Sequence, residues 1–114
     1  MINIYNDINK LEATLRQTTE FENLKVAVDA VKTDEEAKTL FQNFRNLQMK
    51  MQEKQVAGEE ILEDEYIYAQ KTAQLAQQNP LILQMLEAEL ALSSIIEEIN
   101  RIIVKPVQGL YDGI

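Results

Sequence analysis

The chain contains no histidine, no cysteine and no tryptophan. Without cysteine there is no disulfide framework, no thiol nucleophile and no thiolate-held metal or cluster. Without histidine the Glu-x-x-His ligand set of di-iron helical bundles cannot form. Only three glycines and two prolines occur in 114 residues, so the chain has few turn formers and is expected to form few, long elements. No glycine-rich phosphate loop, nucleophile elbow or zinc-ligand spacing is present. Long uninterrupted apolar runs are missing too. The most apolar stretch, Leu81 to Val104, is broken by Glu87, Glu89, Glu97, Glu98 and Arg101, which are too costly in hydrocarbon for a spanning helix. The start, Met1 to Asp7, has neither a basic region nor a continuous apolar stretch, so no secretion signal is apparent and a cytoplasmic location is expected.

What the chain does have is acid. Its net charge is −8, a field that repels phosphate backbones and anionic membrane surfaces and disfavours direct nucleic-acid binding. The imbalance sits in the second half, where residues 58–114 carry three basic and ten acidic side chains against eight and nine in residues 1–57.

Apolar spacing indicates a single all-α domain over residues 1–114, with about five helices. Ile4, Ile8, Leu11 and Leu15 share one helical face and predict a first helix from Ile4 to Gln17. Thr19 followed by Glu22 forms a capping-box pattern ahead of a second helix carrying Phe21, Leu24, Val28 and Val31. The pattern repeats at Thr33 and Glu36 and opens a third helix, whose near-heptad stripe of Ala37, Leu40, Phe41, Phe44, Leu47, Gln48 and Met51 runs to a stop at Gly58. Glu59, Glu60, Glu63, Asp64 and Glu65 surround the start of a fourth helix, with a small-residue seam at Leu62, Tyr66, Ala69, Ala73 and Ala76. Asn79 then caps a fifth helix with Pro80 at its first position, running to about Val104 because Pro106 disfavours helical geometry at Lys105.

The third and fifth helices, at about 24 residues each, would be ~36 Å long, more than a compact domain of this size accommodates. The fifth is apolar over too wide an arc for one neighbour to cover. A homodimer or higher oligomer is therefore expected, with Phe41, Phe44, Met51, Leu92, Ile96, Ile99 and Ile103 as interface anchors.

Candidate chemistry is sparse. The pairs Glu59 with Glu63 and Glu60 with Asp64 could face a cation, but acidic residues gather at helix starts anyway, so no metal and no cofactor is expected. Glu89 lies on the apolar stripe of the fifth helix, where an unpaired charge is costly; the preferred reading is a buried structural ion pair with Arg45, or alternatively Lys71. Gln42, Arg45, Gln48, Gln52 and Gln55 read as a solvated face or as polar contacts flanking a helical hairpin.

The run Leu40-Phe41-Gln42-Asn43-Phe44-Arg45-Asn46-Leu47-Gln48, with Met51 to Glu60, Ala69-Gln70-Lys71-Thr72, Glu87-Ala88-Glu89, Ile103-Val104-Lys105-Pro106 and Leu110-Tyr111, resembles the YlbF/YmcA family of small helical bacterial proteins, and within it the YheA branch. The resemblance implies an all-α, oligomeric, non-enzymatic cytoplasmic protein of a Gram-positive bacterium. Other branches act in a complex that supports RNA processing by a membrane-anchored endoribonuclease and influence competence, sporulation and biofilm formation. Some of those relatives hold an iron–sulfur cluster on cysteines, which this chain lacks. The leading expectation is an interaction protein that self-associates and binds an unidentified protein partner. The alternative is an RNA-associated module accessory to an endoribonuclease complex, with Arg45, Lys50 and Lys54 touching phosphates.

Overall fold

A computed structural model describes residues 2–114 and contains five helices and no strand among them: α1 (Ile4–Arg16), α2 (Thr19–Thr33), α3 (Glu35–Val56), α4 (Glu63–Gln78) and α5 (Pro80–Leu110). The residues group into two compact units, one made of the chain up to Leu24 together with Glu87–Ile114, the other of Lys25–Leu86.

The caps show why the helices start where they do, and two of them lie one residue from the predicted position. Thr18, not Thr19, opens α2: its hydroxyl donates to the Leu15 carbonyl at 2.7 Å and accepts from the Phe21 N–H at 3.1 Å, tying the end of α1 to the start of α2. Asp34, not Thr33, caps α3, accepting from the Ala37 N–H at 2.9 Å. A carboxylate is favoured there by the helix dipole as well as by the hydrogen bond. Thr33 instead closes α2, donating back to the Asp29 and Ala30 carbonyls. Asn79 caps α5 as expected, its Oδ1 accepting from the N–H groups of Leu81 and Ile82 at 3.0 and 3.2 Å.

α3 ends at Gly58. Its φ of +74° is left-handed backbone. The Gly58 N–H donates to the Gln55 carbonyl and the Glu59 N–H to the Lys54 carbonyl, the paired bonds of a Schellman stop. The end of α5 departs from the prediction. The helix passes through Pro106 and continues to Leu110. Proline removes one donor, and the carbonyl of Ile102 four residues earlier loses its partner. Every residue from Arg101 onward is exposed, so water can satisfy that carbonyl and the helix persists.

The core is small and lies almost wholly in the Lys25–Leu86 unit. Ala27, Val31, Ala37, Ala76, Ile82 and Met85 are buried there with Thr72, whose hydroxyl donates to the Tyr68 carbonyl at 2.8 Å. Three of those residues are alanines, which let helix backbones approach closely. In the other unit Leu92 is the buried hydrophobic residue among those described.

Candidate functional site: the α3–α4 hairpin groove

Two helices joined by residues 57–62 pack against each other as a hairpin, α3 against α4. Large apolar residues recur on α3 at Phe44, Leu47 and Met51, whereas α4 presents Tyr66, Ala69 and Ala73. The size mismatch leaves a groove of about 620 Å³, open to solvent and edged by Gln48, Gln52, Gln55 and Gln70. Its walls are apolar and its rim is amide, uncharged but able to donate and accept. Phe41 supports one end, its ring centroid 6.4 Å from that of Phe44 in a tilted arrangement.

A single ion pair fixes the closed end of the hairpin. Lys54 Nζ sits 2.6 and 2.7 Å from the two carboxylate oxygens of Glu65, with each side chain 21% exposed. Glu65 also accepts from the Leu62 N–H at 3.3 Å, satisfying one free donor at the start of α4. The Lys54 hydrogen bond first, and the Leu62 N–H second, hold the Glu65 carboxyl below its ordinary value of 4.5; Lys50 adds a weaker attraction. This pair was not anticipated from sequence, although a signal exists. Lys54 lies three residues before the α3 cap Ala57 and Glu65 three after the α4 cap Leu62, so closing the turn brings them face to face.

The expected site residues are divided by the structure. Phe44 and Met51 line the groove and Phe41 backs it; all three are half-buried. Three members of the glutamine strip, Gln48, Gln52 and Gln55, form its rim. On α5, Ile99 is half-buried while Ile96 and Ile103 are exposed, the latter at 65%. Leu92, at 8% exposure, is already covered within the chain. The expected burial of the Glu89–Arg45 pair is corrected. Both side chains are exposed, so the desolvation cost that called for a partner is absent. Lys71, the alternative partner, is exposed too. Glu59, Glu60, Glu63 and Asp64 are exposed at the hairpin turn, and no group of three or more acidic side chains among the described residues is arranged to hold a metal ion. No helix among those residues is long and apolar enough to cross a membrane.

A sequence profile of the family described as "Control of competence regulator ComK, YlbF/YmcA" matches residues 4–108. The chain belongs to the YlbF/YmcA family. It is 63% identical over 114 residues to a UPF0342 protein of Lysinibacillus sphaericus, covering 100% of this chain and 99% of the relative. It is 46% identical over 113 residues to the UPF0342 protein YheA of Bacillus subtilis, covering 99% and 97%. Among solved structures it is similar to a protein of unknown function (DUF964) from Bacillus stearothermophilus, with a TM-score of 0.88 at 35% identity over 96% of each chain. It is also similar to yheA from Bacillus subtilis, with a TM-score of 0.75 at 39% identity over 96% of this chain and 100% of that one. The YlbF/YmcA match spans both compact units, and the groove-lining residues of α3 and α4 fall inside it.

Proposed function

We propose that this YlbF/YmcA family member is a non-enzymatic, cytoplasmic interaction protein, acting as one domain over residues 1–114, that self-associates and holds a protein partner in a regulatory role. The observation that carries the reading is uncovered apolar helix surface. α1 buries none of its residues although Ile4, Ile8 and Leu11 share a face, and α5 carries no covered residue beyond Ile99. No helix among the described residues is long and apolar enough to cross a membrane, so exposed apolar helix surface of this kind supports an interface. The α3–α4 groove suits an amphipathic helix of a partner, with apolar anchors seated between Phe44, Met51 and Tyr66 and polar flanks meeting the glutamine rim. The family's description as a control element of a competence regulator supports the regulatory role.

The RNA-associated alternative would use Arg45, Lys50 and Lys54. The Lys54 ammonium is already held by both oxygens of Glu65, which favours the protein-binding reading. Light scattering at micromolar concentration tests self-association. A mass of at least twice 13.1 kDa is expected, and a monomer mass would overturn the reading.

A further inference from the structure

Beyond Leu92, one face of α5 repeats with a spacing of four, three, four and three: Ile96, Asn100, Ile103, Val107 and Leu110. This is a heptad seam in which Asn100 and Val107 take the a positions and Ile96, Ile103 and Leu110 the d positions. All five side chains are exposed, the four apolar ones from 41% at Ile96 to 78% at Leu110. Asn100 is the one polar member of the seam.

We propose that this seam is a homodimer interface, in which α5 of a second copy of this chain packs parallel and in register against it, with Asn100 facing Asn100 of the other copy. The inference rests on the self-association reading above and adds the surface, the occupant and the direction. Three observations support it. Fifteen helical residues, ~22 Å of helix, carry the repeat. The exposed seam side chains of two copies together offer on the order of 1,000 Å², the lower threshold for a specific interface. The third is the asparagine. In a parallel, in-register pair the a positions meet each other, so each Asn100 amide finds both a donor and an acceptor across the seam. In an antiparallel pair a positions meet d positions, and Asn100 would face isoleucine or leucine with its amide unsatisfied. An a-position asparagine also holds the assembly at two strands, where the neighbouring isoleucines alone would favour more. Pro106 falls at a g position and Arg101 and Lys105 at b and f, so neither the missing N–H nor the cations enter the seam.

The absence of native cysteine makes the test direct, because an introduced thiol is the sole one. Ile96→Cys and Leu110→Cys, each prepared alone, are expected to form disulfide-linked dimers under mild oxidation, while Glu98→Cys on the outer face remains uncrosslinked. With Val107→Cys as a third single-thiol protein, crosslinking only when the Ile96→Cys and Val107→Cys proteins are mixed, a d position meeting an a position, would mean antiparallel packing and overturn the proposal. Ile103→Asp is expected to halve the mass by light scattering with its helical circular dichroism retained, and Asn100→Ile to raise the mass above that of the wild type. A wild type that is monomeric removes self-association altogether. A wild-type oligomer that neither crosslinks at these positions nor responds to Ile103→Asp leaves self-association standing and removes this seam.

Discussion

Replacing Ile82 with alanine should be the most damaging single truncation in this protein. Ile82 is 0% exposed and is the largest fully buried side chain among the described residues. Truncating a buried isoleucine to alanine costs ~2–5 kcal/mol, the spread reflecting how well the surroundings close over the cavity. Here the rest of the unit's core is Ala27, Val31, Ala37, Ala76 and Met85. Alanines have no side-chain volume to move inward and only Met85 is flexible, so the cost should fall in the upper part of that range, about 3–5 kcal/mol. Such a loss is a large fraction of a typical domain stability of ~5–15 kcal/mol. The assay is urea unfolding followed by circular dichroism at one fixed protein concentration, because self-association would otherwise enter the midpoint. The control is Leu83→Ala, one residue along the same helix and 43% exposed, which should cost under ~1 kcal/mol. Both substitutions introduce the best helix former, so lost helix propensity cannot account for a difference between them. Equal midpoint shifts for the two variants, at unchanged slope, would refute the assignment of the core to this part of the chain.

The hairpin and caps yield three further expectations. Gly58→Ala places a side chain at φ +74° with nothing within 4 Å of the new Cβ, so the cost is backbone strain alone, ~1–2 kcal/mol in urea unfolding; a neutral result would mean the turn can relax out of the left-handed region. Asn79→Ala removes the acceptor for two N–H groups at the start of α5 and should cost ~1 kcal/mol, with Asn79→Asp retaining most of the stability. The Glu65 carboxyl titrates below its ordinary 4.5 in the folded protein, so its contribution is fully present above that value and is lost as pH falls through the lowered one. The stability gap between wild type and Glu65→Gln should therefore narrow on acidification below pH 4.5, and a gap that is the same at neutral and acid pH would exclude the Lys54 pairing as its source.

Helix identity was legible because apolar periodicity reports which face must be hidden, and the start at Ile4 follows from it, while the start at Pro80 follows from the Asn79 cap and the proline at the first helical position. Cap residues were legible only to within one position. Thr18 and Thr19, or Thr33 and Asp34, are neighbours of similar capping chemistry, and the choice depends on which side chain can also satisfy the preceding helix. The stop at Gly58 could be read because left-handed backbone selects glycine. The stop at Pro106 misled, since proline disfavours a helix interior without forbidding it, and here the freed carbonyl lies on an exposed stretch where water can satisfy it, which is invisible in sequence. Glu89 misled differently: it lies between the buried Met85 and Leu92 yet is itself exposed, so it sits at the edge of the covered face and not within it. Farther along α5, the apolar stripe loses its cover before the helix ends.

The bareness of that stripe also bears on what the protein does. In the Lys25–Leu86 unit the apolar face of each helix is at least partly hidden, with Ala27, Ala37 and Ala76 permitting close packing and Ile82 and Met85 filling what remains. In the other unit α1 has no buried residue and α5 is exposed from Asn100 onward, although Ile103, Val107 and Leu110 share a face there and Ile102 and Val104 flank it. Fully burying a fully exposed side chain of this kind contributes ~1.5–3 kcal/mol, and these are 43–78% exposed, so leaving them in water forgoes a sizeable fraction of a typical domain stability. Ile103, Val107 and Leu110 of this surface, with Ile96 before them, leave Asn100 as the one polar member of the proposed seam, so a second copy covering that seam is what the self-association proposal would use to recover part of this stability.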